Sequence, residues 1–301
     1  MQEANTAGRK VTFLGLGAMG ARMAANVKKG GFELTVYNRD EQKTEPFKEQ
    51  DCKVATNPAQ AVADADFVIT MLSNDYAVEQ VMLGENGALQ AMRPGKVYIN
   101  MSTTSPELAD RLDSACQKQK VQALAAPVAG SIKPAEEGKL VILAGGPRAA
   151  FEQAESLLKT MGQNIQYFES AAKALTMKLI VNGFIQGQLA VFAELLALGQ
   201  KAELGREQVI QTLTNGAGAS PWIKDKGQKM LANDYSPAFS LELTRKDIGL
   251  TLQEFQKYNV PGVVTAAIDQ LYSLATNMGR NEEDMSVLVP LVAKLAGLDG
   301  K

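Results

Sequence analysis

The sequence predicts an α/β protein in two parts, a doubly wound sheet followed by an all-α domain, joined by one long helix. Three observations predict it. Short apolar, β-rich runs alternate with helical stretches from Lys10 to Ala144. The first of those runs ends in a turn that carries Gly15, Gly17 and Gly20 in G-x-G-x-x-G spacing. From Ala171 onward nothing reads as a strand, and AAKALTMKLIVNGFIQGQLAVFAELLALGQKAEL reads as a single helix to Leu204.

The elements follow in order. Residues 1–9, polar and without the apolar core of a signal peptide, read as a disordered lead-in. KVTFLGLGAMGARMAANVKKGGFELTVYNRD is then a βαβ unit: strand, glycine turn, helix, and a second strand at Leu34 to Tyr37. Cys52 to Val54 is a short strand, Pro58 to Asp64 a helix led by Asn57, and Asp66 to Leu72 an apolar strand. Asp75 to Gln90 is helical but cut by Gly84 and Gly87, and Lys96 to Asn100 is a strand running into MSTTSP. A helix at Pro106 to Lys118 and strands at Val121 to Leu124 and Leu140 to Ala144 complete the sheet. After the long helix come helix, glycine-rich turn and helix, then helices over the RKD stretch, Pro261 to Met278 and Asp284 to Leu295. The boundary falls at Ser170, giving domains 1–170 and 171–301 with no flexible linker between them.

In this context the glycines carry chemistry. The first permits a tight bend, the second lets a pyrophosphate approach the backbone, and the third allows close helix packing, as in a Rossmann-type dinucleotide site. Backbone amides at the next helix N-terminus, around Leu16, Ala18 and Met19, would hold the phosphates. At the end of the second strand, where an acidic residue would select NAD, stand Asn38 and Arg39. A guanidinium suits a 2′-phosphate, so the pattern favours NADP. In such a sheet ligands bind beyond the carboxyl ends of strands, which draws Met71, Leu72, Ser73, Asn100, Ser102, Thr103 and the APVAGSIKPAEEGKL stretch into the site.

The long helix supplies a second hint. Leu175, Leu179, Phe184, Leu189, Phe192, Leu195, Leu196 and Leu198 follow the three-and-four spacing of a helix buried on most of its circumference. Asn182, Gln186, Gln188 and Glu194 interrupt the apolar runs that a bilayer crossing of about 18 residues would need. Lys178 and Asn182 stand one turn apart on one face, able to reach one small ligand together. The plain alternative is a lysine that snorkels to solvent and a satisfied core amide.

Composition narrows the chemistry. A net charge of -2 offers no footprint for nucleic acid or an anionic membrane, so the partners are small molecules. The chain has no histidine, which removes the commonest general base and most transition-metal sites, and acid/base work falls to Lys, Asp, Glu, Tyr or Cys. Its two cysteines, Cys52 and Cys116, form no metal or disulfide pattern, which fits a reducing, cytoplasmic setting.

Four stretches in this order resemble the β-hydroxyacid dehydrogenases: GLGAMG from Gly15, NMSTTSP from Asn100, APVAGSIKPAEEGKL from Ala126, and MKLIVNG with the later RKD. The form of the third, with Asn38-Arg39, is most similar to the NADPH-using glyoxylate/succinic semialdehyde reductases. The resemblance implies Lys178 as catalytic general acid in carbonyl reduction, with Asn182 holding lysine and substrate. It implies Thr103 and Lys246 as cofactor contacts, and Ser102, Gly130, Ser131, Phe239 and Asp247 around the substrate. It also implies a homodimer or homotetramer packed through the helical half. Ala129 stands where the family usually has a serine, and Ala172 and Ala174 where glycines are common. The lysine that related imine reductases replace is present, which argues against an imine substrate. Two other readings stay open: an oxidative 3-hydroxyisobutyrate-type dehydrogenase, and a non-catalytic module that binds NADPH or assembles with partners.

Overall fold

The central strands of the first half, over 10–14, 67–70 and 97–100, are buried along almost their whole length, as strands are where helices cover both faces of a sheet. The computed structural model describes residues 8–298, so most of the expected lead-in lies outside the described residues. Arg9 does not belong to a free lead-in: Nη1 donates to the Gln153 carbonyl at 3.2 Å and the guanidinium lies 4.3 Å from the Phe67 ring centroid. Two compact units divide at Lys178/Leu179, inside the long helix, eight residues beyond its start at Ala171.

In the first unit β1 (Lys10–Leu14), β2 (Glu33–Tyr37), β3 (Lys53–Val54), β4 (Phe67–Thr70), β5 (Val97–Asn100) and β6 (Gln122–Ala125) are parallel, in the order β3-β2-β1-β4-β5-β6. β7 (Val128–Ala129) carries the chain on beyond β6, and β8 (Leu140–Gly145) returns antiparallel to both, with Ala125 opposite Gly145 and Ala129 opposite Val141. Segment 130–139 therefore emerges at the same carboxyl edge as the glycine turn. β9 (Gly162–Phe168) adds a parallel strand beside β8.

The helices of this unit are α1 (Gly20–Lys29), α2 (Glu45–Lys48), α3 (Pro58–Val62), α4 (Asp75–Leu83), α5 (Pro106–Lys118), α6 (Ile132–Glu136) and α7 (Arg148–Met161). Side chains alternate between two cores: Phe67 and Ile69 of β4 enter one, Val68 the other. Asn57, Asn74 and Ser105 cap α3, α4 and α5 by accepting from the amides of Gln60, Ala77 and Leu108.

Sequence reading stopped at Ala144 and missed α7 and β9. The signal in α7 was legible, since Ala150, Phe151, Ala154, Leu157, Leu158 and Met161 are buried at helical spacing. β9 reads GQNIQYF and keeps polar residues exposed, so it lacks the apolar run of a central strand. The 126–140 stretch, expected as one loop, contains β7 and α6.

The second unit is helical: the remainder of α8 (Ala171–Lys201), then α9 (Arg206–Asn215), α10 (Pro221–Leu231), α11 (Leu241–Lys257), α12 (Val263–Asn277) and α13 (Leu288–Leu295). Leu189, Phe192 and Leu196 enter its core, but Phe184, Leu195 and Leu198, expected inside, are 71%, 45% and 64% exposed. With Ile180 and Val191 they form an exposed apolar stripe along one side of α8. By length and composition α8 would pass for a membrane-crossing helix, with a mean hydropathy of 1.5, because its many Leu, Ala, Val and Ile residues outweigh the amides. Its buried amides nevertheless find partners on α11: Asn182 donates to Asp247, and Gln186 Nε2 to the Thr244 carbonyl at 3.3 Å.

Candidate functional site

The glycine turn divides its labour as the spacing predicts. Gly15 has φ +105°, and a Cβ there would stand 2.5 Å from the Met71 carbonyl oxygen and 2.7 Å from Leu72 Cδ2. Gly20 brings α1 so close that a Cβ would meet the Gly15 carbonyl oxygen at 2.1 Å. A Cβ at Gly17 would meet nothing within 4 Å, so this side of the turn faces open space. Among the described residues no acceptor pairs with the amides of Gly17, Ala18 and Met19, and the first turn of α1 contains no acid. Three free donors at a positive helix end fit a pyrophosphate.

The end of β2 is tied to this turn through Asn38, whose Oδ1 accepts from the Leu16 amide at 2.9 Å and whose Nδ2 donates to the Asp40 carbonyl. Asp40 caps the following 3₁₀ turn by accepting from the Gln42 amide at 3.2 Å. Its carboxylate is thus occupied locally. Arg39 is exposed, with no ion pair among the described residues. The arrangement fits a 2′-phosphate better than a ribose 2′-hydroxyl, which an acceptor carboxylate would bind.

Beneath the post-strand loops lies a buried polar network that sequence reading did not find. Thr70 Oγ1 pairs with the Tyr98 hydroxyl at 2.9 Å and donates to Asn100 Oδ1 at 3.1 Å, and Asn100 Nδ2 donates to Thr104 Oγ1 at 3.1 Å. Asn100 Oδ1 also accepts from the Ser102 amide at 3.1 Å. Polar residues ending apolar strands, Thr70 and Asn100, were the available signal. Ser102, expected to touch substrate, is fully buried, and its hydroxyl accepts from the Leu72 amide at 2.9 Å. It joins the ends of β4 and β5. Asp75 fastens the loop's far end by accepting from the amide and hydroxyl of Ser105. Half-buried Thr103 lies between these anchors, and Ser73 is exposed in the β4–α4 loop just before Asn74.

Gly130 and Ser131 follow β7 at the carboxyl edge. Gly130 has φ +138°, and a Cβ would collide with Leu140 Cδ2 at 2.8 Å, so only glycine makes this turn without strain. Ser131 precedes α6 in extended conformation, and its side chain makes no capping bond.

On α8, Lys178 is 8% exposed and Asn182 is 3% exposed. Asp247 on α11, expected at the substrate, is 1% exposed and accepts from Asn182 Nδ2. Lys246 Nζ lies 2.9 Å from Asp247 Oδ1, a charge contact outside hydrogen-bond geometry, since that oxygen has no hydrogen-bond donor. Phe239 is half-buried in a segment fixed by Asp284, which accepts from the amides of Ala238 and Phe239 at 3.1 and 3.2 Å. Neither cysteine offers a thiolate: burial, aided by Asp113, pushes the Cys116 thiol up to about 12, and burial raises Cys52.

Two family models match, in the order of the two halves. Residues 10–169 match the NAD binding domain of 6-phosphogluconate dehydrogenase, and residues 172–292 the NAD-binding domain of NADP-dependent 3-hydroxyisobutyrate dehydrogenase. Glyoxylate/succinic semialdehyde reductase 1 of Arabidopsis thaliana is 34% identical over 94% of this chain and 98% of its own. The chloroplastic reductase 2 of the same plant is 32% identical over 93% of this chain and 78% of its own. Among solved structures, 3-hydroxyisobutyrate dehydrogenase of Salmonella typhimurium has the same fold, with a TM-score of 0.88 at 24% identity over 94% of this chain and 99% of that one.

Proposed function

The chain belongs to the NAD(P)-dependent β-hydroxyacid dehydrogenases, and on that premise we propose that it reduces small carboxylated aldehydes, of the glyoxylate or succinic semialdehyde kind, with NADPH. The observation that carries the reading is buried Lys178 with buried Asn182 one turn on, the latter held by Asp247. The free amides of Gly17, Ala18 and Met19 would hold the pyrophosphate of NADPH, and Arg39 its 2′-phosphate; when bound, the cofactor would supply a hydride for the carbonyl carbon. Charge develops on the carbonyl oxygen, and the Lys178 ammonium neutralises that charge and delivers the proton. Asn182, fixed through its Nδ2, keeps the ammonium and the oxygen aligned. The Gly130–Ser131 turn receives the substrate carboxylate on the Ser131 hydroxyl, in the absence of a hydroxyl at Ala129.

Turnover decides the reading. NADPH and NADH oxidation is measured against glyoxylate, succinic semialdehyde, methylmalonate semialdehyde and tartronate semialdehyde. NADPH-dependent reduction of at least one is the expected result, and binding of NADPH without turnover on any would sink it. The match of residues 172–292 to 3-hydroxyisobutyrate dehydrogenase favours a second reading, oxidation of a β-hydroxy acid. Preferred turnover of 3-hydroxyisobutyrate with NADP⁺ would select that one.

The exposed stripe Ile180, Phe184, Val191, Leu195 and Leu198 supports assembly of the chain as a homo-oligomer. Light scattering should give a multiple of 32.3 kDa, and Phe184→Glu should lower it. Two free thiols support a reducing, cytoplasmic setting, which cell fractionation tests.

A further inference from the structure

Two successive turns of α1 grip the segment that follows Gly130. Asn26, 8% exposed, donates from Nδ2 to the Ala135 carbonyl at 2.7 Å. That carbonyl stands at the end of α6, where the short helix leaves it no partner of its own. The Ala135 amide in turn donates to the Ser131 carbonyl at 3.1 Å, so one hydrogen-bonded chain runs from Asn26 to Ser131. One turn earlier, a single guanidinium spans both regions: Arg22 Nη1 donates to the Ala18 carbonyl at 2.6 Å and Nε to Glu136 at 2.7 Å. Ala18 belongs to the phosphate turn and Glu136 to α6.

We propose that Arg22 and Asn26 are positioning residues, which transmit occupancy of the Gly17–Met19 amides to the Gly130–Ser131 turn and so set the substrate-carboxylate subsite. The subsite's identity rests on the reading under Proposed function; the mechanical link does not. The segment it acts on is tightly seated, because Pro134 packs under Gly130 and Gly138, at φ +64°, turns the chain beneath Asn26. A helix of ten residues is stiff on this scale, and an arginine held at two points by its planar fork moves with both partners. The Arg22–Glu136 pair is 33% and 52% exposed, so its contribution to stability is small and its effect is geometric. A displacement of about 1 Å at a substrate contact is enough to weaken productive binding severely.

The test measures amide hydrogen exchange over 131–137 in the full chain with and without NADPH, together with steady-state kinetics, for wild type, Asn26→Ala and Arg22→Gln. In wild type NADPH slows exchange across 131–137. Both variants bind NADPH within about threefold of wild type but lose that protection. KM for the carboxylated aldehyde rises about tenfold, the size of one hydrogen bond left unmade, while kcat stays within about threefold. The proposal is overturned if NADPH protects 131–137 equally in both variants, or if kcat and KM change only in step with thermal stability. If wild type reduces no carboxylated aldehyde, the functional reading falls, and the exchange measurement still decides the link.

Discussion

Asn38 accepts a hydrogen bond from the Leu16 amide at 2.9 Å, so the residue at the end of β2 is a strut of the glycine turn. Arg39 beside it is left exposed to solvent. The two neighbours are therefore expected to have separable roles, Asn38 in the geometry of the turn and Arg39 in cofactor choice.

Arg39→Ala should weaken NADPH by about 10- to 100-fold and leave NADH nearly unchanged, the loss of one charge-assisted phosphate contact. Titration of cofactor fluorescence with both nucleotides reads the ratio. An equal loss for both would assign Arg39 to something other than the 2′-phosphate.

Gly17→Ala and Gly20→Ala should separate binding from folding. A Cβ at position 17 meets nothing, so stability should stay within about 0.5 kcal/mol while NADPH affinity falls at least about tenfold. At position 20 it stands 2.1 Å from the Gly15 carbonyl oxygen, and a loss of about 1–3 kcal/mol is expected on thermal unfolding.

Lys178→Ala should lower kcat by about 10² to 10⁴ with NADPH affinity preserved, the range general acid catalysis contributes. Stopped-flow reduction and equilibrium cofactor binding on the same preparation check it. Parallel loss of cofactor binding would place Lys178 in the nucleotide site instead.

Lys226 and Asp284, 3% and 0% exposed, form a buried ion pair that also fixes the segment before Phe239. Lys226→Met leaves the carboxylate buried and unpaired and should cost about 3–5 kcal/mol. Burial alone would raise the Asp284 carboxyl, but the charge and hydrogen bond of Lys226, with the hydroxyl and amide hydrogen bonds of Ser286, hold it below its ordinary 3.8. A depressed carboxyl contributes stability that is complete above the unfolded value and is lost as pH falls through the folded one. Wild type should therefore lose stability below pH 3.8 more steeply than a Lys226→Met/Asp284→Leu double variant, as read by urea unfolding across pH.

The sequence by itself determined the alternation of strands and helices, the helical second half, the glycine turn and the Lys178–Asn182 spacing. Each is a local pattern: a strand or helix period, a turn that only glycine makes, a fixed offset on one helix. Which distant parts of the chain each polar group pairs with was decided only by tertiary structure. Ser102, implied at the substrate by the resemblance, bridges the ends of β4 and β5, and Asp247, implied there too, holds Asn182. Nothing local in the sequence marks Asn26, which carries the hydrogen bond that seats α6. Phe184 looked like core and lies in solvent. A hydroxyl, amide or aromatic ring satisfies itself equally well with backbone, side chain or ligand, and the choice depends on partners distant in sequence, which no local period encodes.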